Sequence, residues 1–172
     1  PGIVSYYSRP DGTMLSFPYN SSSPVLYYNK DILQKAGLDA ENPPETWAEF
    51  DEATAALTQM ADNGALEIPG SNLSLSAAGF LAALYTNNGT LYSDDLKTVT
   101  WNSAEGVETL TWMFEHVQRH FGGHQNYMDW ANAIQPGERR FDQGRLAMEF
   151  QNVSAFFHIK NNAPDLEYGV HF

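Results

Sequence analysis

The runs of β-branched and aromatic residues in this chain stand far apart, and helix-forming segments fill the gaps between them. Thr13–Phe17, Val25–Tyr28, Lys97–Trp101, Arg145–Phe150 and Leu166–Phe172 read as strands. Helices outnumber them, which places the chain in the α/β or α+β class. With 172 residues the expectation is one domain, large enough to bury a core of its own.

The helices announce themselves by their ends. Asn29 is placed to cap a short helix, Lys30 to Ala36, that stops at Gly37. Thr46-Trp47-Ala48-Glu49 is a capping box and the strongest local signal in the chain. It predicts a helix with Trp47, Phe50, Ala53, Leu57 and Met60 on one face, ending near Asn63-Gly64. A second helix is expected from about Leu73 to Thr86. Ser103 caps a third, whose Val107, Leu110, Phe114, Val117 and Phe121 predict a core stripe, and Gly122-Gly123 end it. Met128–Gln135, Pro136–Gln143 with Pro at its first position, and Ser154–Asn162 complete the helical segments.

Composition removes several classes of function. Nine basic against 21 acidic residues give a net charge of −12. A surface that negative repels phosphate backbones and anionic lipid, so neither nucleic acid nor a membrane surface is an expected partner. There is no cysteine, which rules out disulfides, thiolate metal sites and cysteine nucleophiles together. The longest apolar or glycine run, Ala77 to Tyr85, is too short to span a bilayer. The chain opens Pro1-Gly2-Ile3 without an initiator Met, as a processed protein or an internal piece of a longer one would. Ten Phe, nine Tyr and four Trp beside many Ser and Asn are the materials for stacking on, and hydrogen bonding to, a polar ligand.

Few constellations point to chemistry. His116, His120 and His124 recur every four residues, and the first two share a helical face, a spacing that suits a metal. No H-E-x-x-H carboxylate accompanies them, and the Gly pair takes His124 off the helix. The reading adopted is therefore imidazoles near a helix C-terminus, with no metal. Asp94, Asp142 and Glu149 keep an enzyme open as the alternative: a small acidic glycoside hydrolase acting on oligosaccharide with two facing carboxyls. No nucleophile elbow, P-loop or dinucleotide fingerprint occurs. A Ser-His-Asp triad has no support in the spacing. The sequons at Asn20, Asn72, Asn88 and Asn152 are what chance produces in a chain this rich in Asn, Ser and Thr.

One stretch is far more specific: Pro18-Tyr19-Asn20-Ser21-Ser22-Ser23-Pro24-Val25-Leu26-Tyr27-Tyr28-Asn29-Lys30-Asp31. It is followed by Lys35-Ala36-Gly37-Leu38, Pro43-Pro44-Glu45-Thr46-Trp47, Asn88-Gly89 and Trp101-Asn102-Ser103-Ala104-Glu105-Gly106-Val107. Phe141-Asp142-Gln143-Gly144-Arg145-Leu146-Ala147-Met148, Asn162-Ala163-Pro164-Asp165 and Tyr168-Gly169-Val170 complete the series. In this order the chain resembles, over essentially its whole length, the extracellular solute-binding proteins of bacterial ABC importers, the maltose-binding-protein family. The serine run makes it most similar to the glycerol-3-phosphate-binding branch.

The resemblance implies an α/β fold of the type II periplasmic-binding-protein kind, helix-rich around a small mixed sheet. It also implies that residues 1–172 are one domain, most of the C-terminal lobe of a two-lobe protein whose N-terminal lobe is absent. The implied function is capture of a carbohydrate, glycerol phosphate or phosphodiester in the interlobe cleft, and delivery to the permease subunits. No catalysis and no cofactor go with it. The implied location is periplasmic or extracytoplasmic, with a lipid anchor open for the full-length protein.

Residue by residue, Ser22 matches a serine that bonds the ligand's polar end. Asn152 matches a second polar contact, and its amide offers both donor and acceptor. Ser154 falls where maltose-type members stack a Trp. Leu73 to Ala78 lacks the tryptophans that line the pocket in the glycerophosphate branch. Both departures imply a pocket shaped differently from either relative. Trp47, in the second position of the capping box, is assigned to the core rather than to sugar stacking.

Overall fold

Strand β1 (Pro24–Asn29) runs through the middle of a three-stranded sheet of order β4-β1-β5. The computed structural model describes residue 4 and residues 7–17, 23–135 and 137–171. β4 (Met148–Asn152) and β5 (Tyr168–His171) both pair antiparallel to β1, with Tyr28 opposite Met148 on one side and Gly169 on the other. The sheet, expected to be mixed, is antiparallel throughout; one isolated parallel bridge, Ser71 to Met148, lies beside it. A separate two-stranded ribbon joins β2 (Gln59–Met60) to β3 (Leu66–Ile68).

β1 is a near-continuous apolar run because it is covered on both faces. Its alternation sorts side chains between two cores: Leu26 and Tyr28 enter one with Leu33, Phe50, Leu57, Met113 and Met148, whereas Val25 and Tyr27 enter another with Phe141, Leu146 and Ile159. A third cluster gathers Leu66, Val117, Phe121 and Tyr127.

Helices α1 (Lys30–Lys35), α2 (Trp47–Leu57), α3 (Ala77–Thr86), α4 (Ala104–Phe121), α5 (His124–Asn132) and α6 (Ala155–Asn162) surround these strands. The caps are where the sequence puts them. Asn29 Oδ1 accepts from the Ile32 N–H at 3.0 Å. Ser103 Oγ accepts from Gly106 at 3.3 Å, and Gly122 closes α4 in the left-handed region. At α2 the Glu49 N–H donates to Thr46 Oγ1 at 3.2 Å, while Glu49 Oε2 accepts from the Thr46 N–H at 3.0 Å. Thr46→Ala is expected to lower stability by about 1 kcal/mol, read as a fall in the denaturation midpoint. An unchanged midpoint would mean that water caps α2 equally well.

Elsewhere the structure departs from the sequence expectations. α2 stops at Leu57, because Thr58 Oγ1 turns back onto Thr54 O at 2.7 Å and accepts from the Gly70 N–H at 3.0 Å. The chain then forms the β2–β3 ribbon around Asp62-Asn63-Gly64, leaving Met60 exposed. α3 begins only at Ala77, since Asn72, at the head of the expected helix, is drawn onto β4 by its bond to Met148 O. Among the described residues, Thr13–Phe17 and Lys97–Trp101 join no sheet: each makes a single bridge, Ser8 to Met14 and Tyr92 to Val99. Residues 137–143 form turns rather than a helix, and Pro136 lies outside the described residues.

The largest correction is in α4. Val107, Leu110 and Phe114 are exposed, and the buried face is Thr109, Met113, His116, Val117, His120 and Phe121. The helix is rotated by roughly one residue from the apolar stripe, because partners for its histidines come from elsewhere in the fold. Trp47 is structural, as expected. Its ring stacks on Trp112 at 4.1 Å, and its Nε1–H donates to Thr86 Oγ1 at 3.1 Å.

Candidate ligand-binding site

β4 emerges from the core toward its C-terminal end. Met148 is buried, Phe150 is half-covered by Phe50 at 5.3 Å between rings, and Asn152, two residues on and on the same face, is exposed. Asn72 holds this end in register, its Nδ2 donating to Phe150 O at 3.1 Å and its Oδ1 accepting from the Phe150 N–H at 2.8 Å. The turn from β4 into α6 is clipped by Tyr27, whose hydroxyl reaches Val153 O at 2.8 Å and Asn152 O at 3.4 Å. Burial pushes the Tyr27 phenol up, which keeps it a donor.

Two of the three sequence-derived ligand residues sit on this turn. Asn152 is paired across the sheet with Pro24 and makes no side-chain hydrogen bond among the described residues. Ser154 occupies the N-cap of α6 in helical conformation, its hydroxyl exposed and capping nothing. Both therefore present uncommitted polar groups. Ser22 lies outside the described residues, although Pro24, two positions later, is Asn152's partner. Next to the turn, α6 exposes Phe156 and Phe157, whose ring centroids are 4.6 Å apart. These two rings are not among the residues that the resemblance implies. The adjacent Phe-Phe pair in the first turn of a predicted helix was the available signal; Ala155 and Ile159, four residues apart, take the buried face of α6.

Leu75, Ser76 and Ala77 line a cavity of ≈ 470 Å³ with Phe80, Trp101 and Leu110. Phe80, from the first turn of α3, and Trp101, from a distant loop, thus bring aromatic surface beside Leu75–Ala77.

The candidate catalytic groups do not form an enzyme site. Asp142 and Glu149 are tied to one guanidinium, with Arg139 Nε 3.2 Å from Asp142 Oδ2 and Nη2 3.4 Å from Glu149 Oε2. Burial pushes Glu149 up, against the pull of Arg139. A glycosidase pair faces a sugar across a cleft, whereas these two face a shared cation. Asp94 lies in an exposed loop. A triad order does occur: Asp51 Oδ1 is 2.5 Å from His116 Nδ1, and Ser71 Oγ is 3.3 Å from His116 Nε2. Ser71 and His116 have no exposed surface, so no acyl carbonyl reaches the hydroxyl and the relay binds helices together.

His120 also faces Asp51, with Nε2 3.3 Å from Oδ1. His124 begins α5 and is exposed. The carboxylate that the histidine motif lacks in sequence thus arrives from α2.

The described residues thus form a three-stranded antiparallel sheet wrapped by helices, with polar and aromatic groups exposed at one strand end. Residues 1–171 match the family described as bacterial extracellular solute-binding protein, and the chain belongs to that family. It is 83% identical over 52 residues to the sn-glycerol-3-phosphate-binding periplasmic protein UgpB of Agrobacterium fabrum. That stretch is 30% of this chain and 12% of the relative. Among solved structures, CpMnBP1 with mannotriose bound superposes with TM-score 0.79 at 22% identity, over 98% of this chain and 43% of that one. UgpB from Mycobacterium tuberculosis in complex with glycerophosphocholine gives 0.68 at 21%, over 98% and 40%. The chain thus has the type II periplasmic-binding-protein fold and spans less than half the length of these solved neighbours.

Proposed function

We propose that this chain is the C-terminal lobe of the solute receptor of an ABC importer, working outside the cytoplasmic membrane. Its solute is a carbohydrate or a glycerol phosphate or phosphodiester, held in the cleft against a second lobe and passed to the permease subunits. It carries out no chemistry on the solute. The observation that carries this reading is the β4–α6 turn, where the uncommitted Asn152 amide and Ser154 hydroxyl sit beside the exposed Phe156–Phe157 pair. Amide and hydroxyl select hydroxyl or phosphate oxygens, and the rings cover the apolar face of a sugar or glycerol. Ser22, which the resemblance matches to a ligand-bonding serine, is proposed as a third polar contact. UgpB relatives named for sn-glycerol-3-phosphate, and the sugar-bound structural neighbours, support the same solute classes.

A lobe alone binds weakly, since each hydrogen bond it makes replaces one to water for about 1 kcal/mol. Lost translational and rotational freedom costs several kcal/mol. A dissociation constant of about 1 mM or weaker is therefore expected. Amide NMR titration with glycerol-3-phosphate, glycerophosphocholine and maltose tests this. At least one is expected to shift the Asn152–Phe157 signals, and Asn152→Ala with Ser154→Ala to abolish the response. Signals that stay still for all three, or shift equally in the double variant, would reject the site. Micromolar affinity for the chain by itself would reject the need for a second lobe.

A further inference from the structure

We propose that Asp51, His116 and His120 form a binding site for a divalent transition cation of the Zn²⁺ type that pins α2 to α4. Each residue offers one donor atom, and the three lie within 4.8 Å of one another. A tetrahedral zinc with bonds near 2.0–2.1 Å holds its ligands about 3.3 Å apart. Asp51 Oδ1 and His120 Nε2 already stand at 3.3 Å. The 2.5 Å contact between Asp51 Oδ1 and His116 Nδ1 needs to open by less than about 1 Å, and the two histidine nitrogens, no more than 4.8 Å apart, to close by up to about 1.5 Å, both within the reach of side-chain torsions.

A second observation concerns one of these donor atoms. His120 Nε2 is buried and has no hydrogen-bond partner. Its distance to Asp51 is short, but the contact does not have hydrogen-bond geometry. A buried imidazole nitrogen left unpaired is costly, and a cation accepting its lone pair removes that cost.

The surroundings are those of metal ligands. Ser71 Oγ, 3.3 Å from His116 Nε2, accepts from Nε2–H in the tautomer that frees Nδ1 for the cation. Arg119 Nη1 holds Asp51 Oδ2 at 2.5 Å, which turns Oδ1 inward. Arg119 is itself paired with Glu115, so its charge is offset. Two imidazoles and one carboxylate favour zinc, copper or nickel over magnesium or calcium. Asp51 is partly exposed, leaving a side from which water completes the coordination.

The test uses the untagged chain stripped with EDTA. Calorimetric titration with ZnCl₂ is expected to give one ion per chain and a raised melting temperature. Co²⁺ in its place is expected to show the visible absorption of a four-coordinate ion. His120→Gln or Asp51→Asn is expected to weaken binding by more than about tenfold and to remove the Co²⁺ bands. His124→Ala, on the exposed neighbour, is expected to change neither. Should the substituted chains fail to fold, histidine NMR of the wild type decides, since Zn²⁺ must shift the His116 and His120 rings and leave His158 still. Absence of stoichiometric binding, equal binding by folded His120→Gln, or unmoved His116 and His120 rings would overturn the site.

Discussion

Gly106→Ala is expected to destabilise the chain by more than about 3 kcal/mol, at or beyond the upper end of what overpacking usually costs. Gly106 lies in the first turn of α4, where its N–H is bound by the Ser103 cap. A Cβ there would meet the Trp101 carbonyl oxygen at 1.8 Å and its carbon at 2.7 Å. Both are backbone atoms, so no rotamer relieves the clash; either the Trp101–Ser103 turn or the start of α4 must move. Helix propensity works the other way, favouring Ala over Gly by at most about 1 kcal/mol. Sterics wins by a wide margin. Urea denaturation measures the outcome, and a wild-type midpoint would mean that the Trp101 turn does not abut α4.

Acid is expected to unfold the metal-free chain earlier than its surface carboxylates alone would dictate. His116 is fully buried, and burial pushes its imidazole down to about 4, against the bond and charge of Asp51; His120 and Arg119 add to the downward push. A histidine depressed on folding contributes stability that is fully present above its unfolded pKa, about 6.5. That contribution fades as the pH falls from 6.5 toward 4 and is lost just below, an expected change of about 3 kcal/mol. Asp51 acts in the same direction further down. Burial works to raise its carboxyl, but the His116 bond and the charges of His116 and His120 outweigh it and hold the group below 3.8. Stability measured at intervals from pH 7 to pH 4 in EDTA should fall steeply in wild type and less steeply in His116→Gln. Parallel curves would show that His116 does not titrate on unfolding.

The proposed ligand groups depend on rigidity at one place, the β4–α6 turn. Tyr27 is buried within the second core and reaches out only through its hydroxyl. That couples the packing under β1 to the position of Asn152 and Ser154. Asn72 does the same from the other side by supplying β4 with a strand-like pair of bonds from one amide. The candidate ligand groups are thus held by residues that touch no ligand.

What the sequence by itself determined is the chemistry that acts over a few residues. The Asn29, Thr46 and Ser103 caps and the left-handed Gly37 and Gly122 all form where they were expected. Each depends only on atoms close along the chain. The resemblance brought Asn152 and Ser154 to attention, and both are exposed at a strand end.

Tertiary structure decided the rest. Helical periodicity sets the spacing of side chains but not which way the helix turns. In α4, Asp51 and Ser71, 65 and 45 residues from His116, supply polar partners that let the histidines go inside. Val107, Leu110 and Phe114 are turned out in consequence. Thr13–Phe17 and Lys97–Trp101 have strand-like composition yet join no sheet among the described residues, because a strand needs an edge to pair with and that edge is a property of the whole fold. For the same reason the convergence of Asp51 with two histidines, and of Trp101 with the Leu75–Ala77 stretch, has no trace in any local pattern.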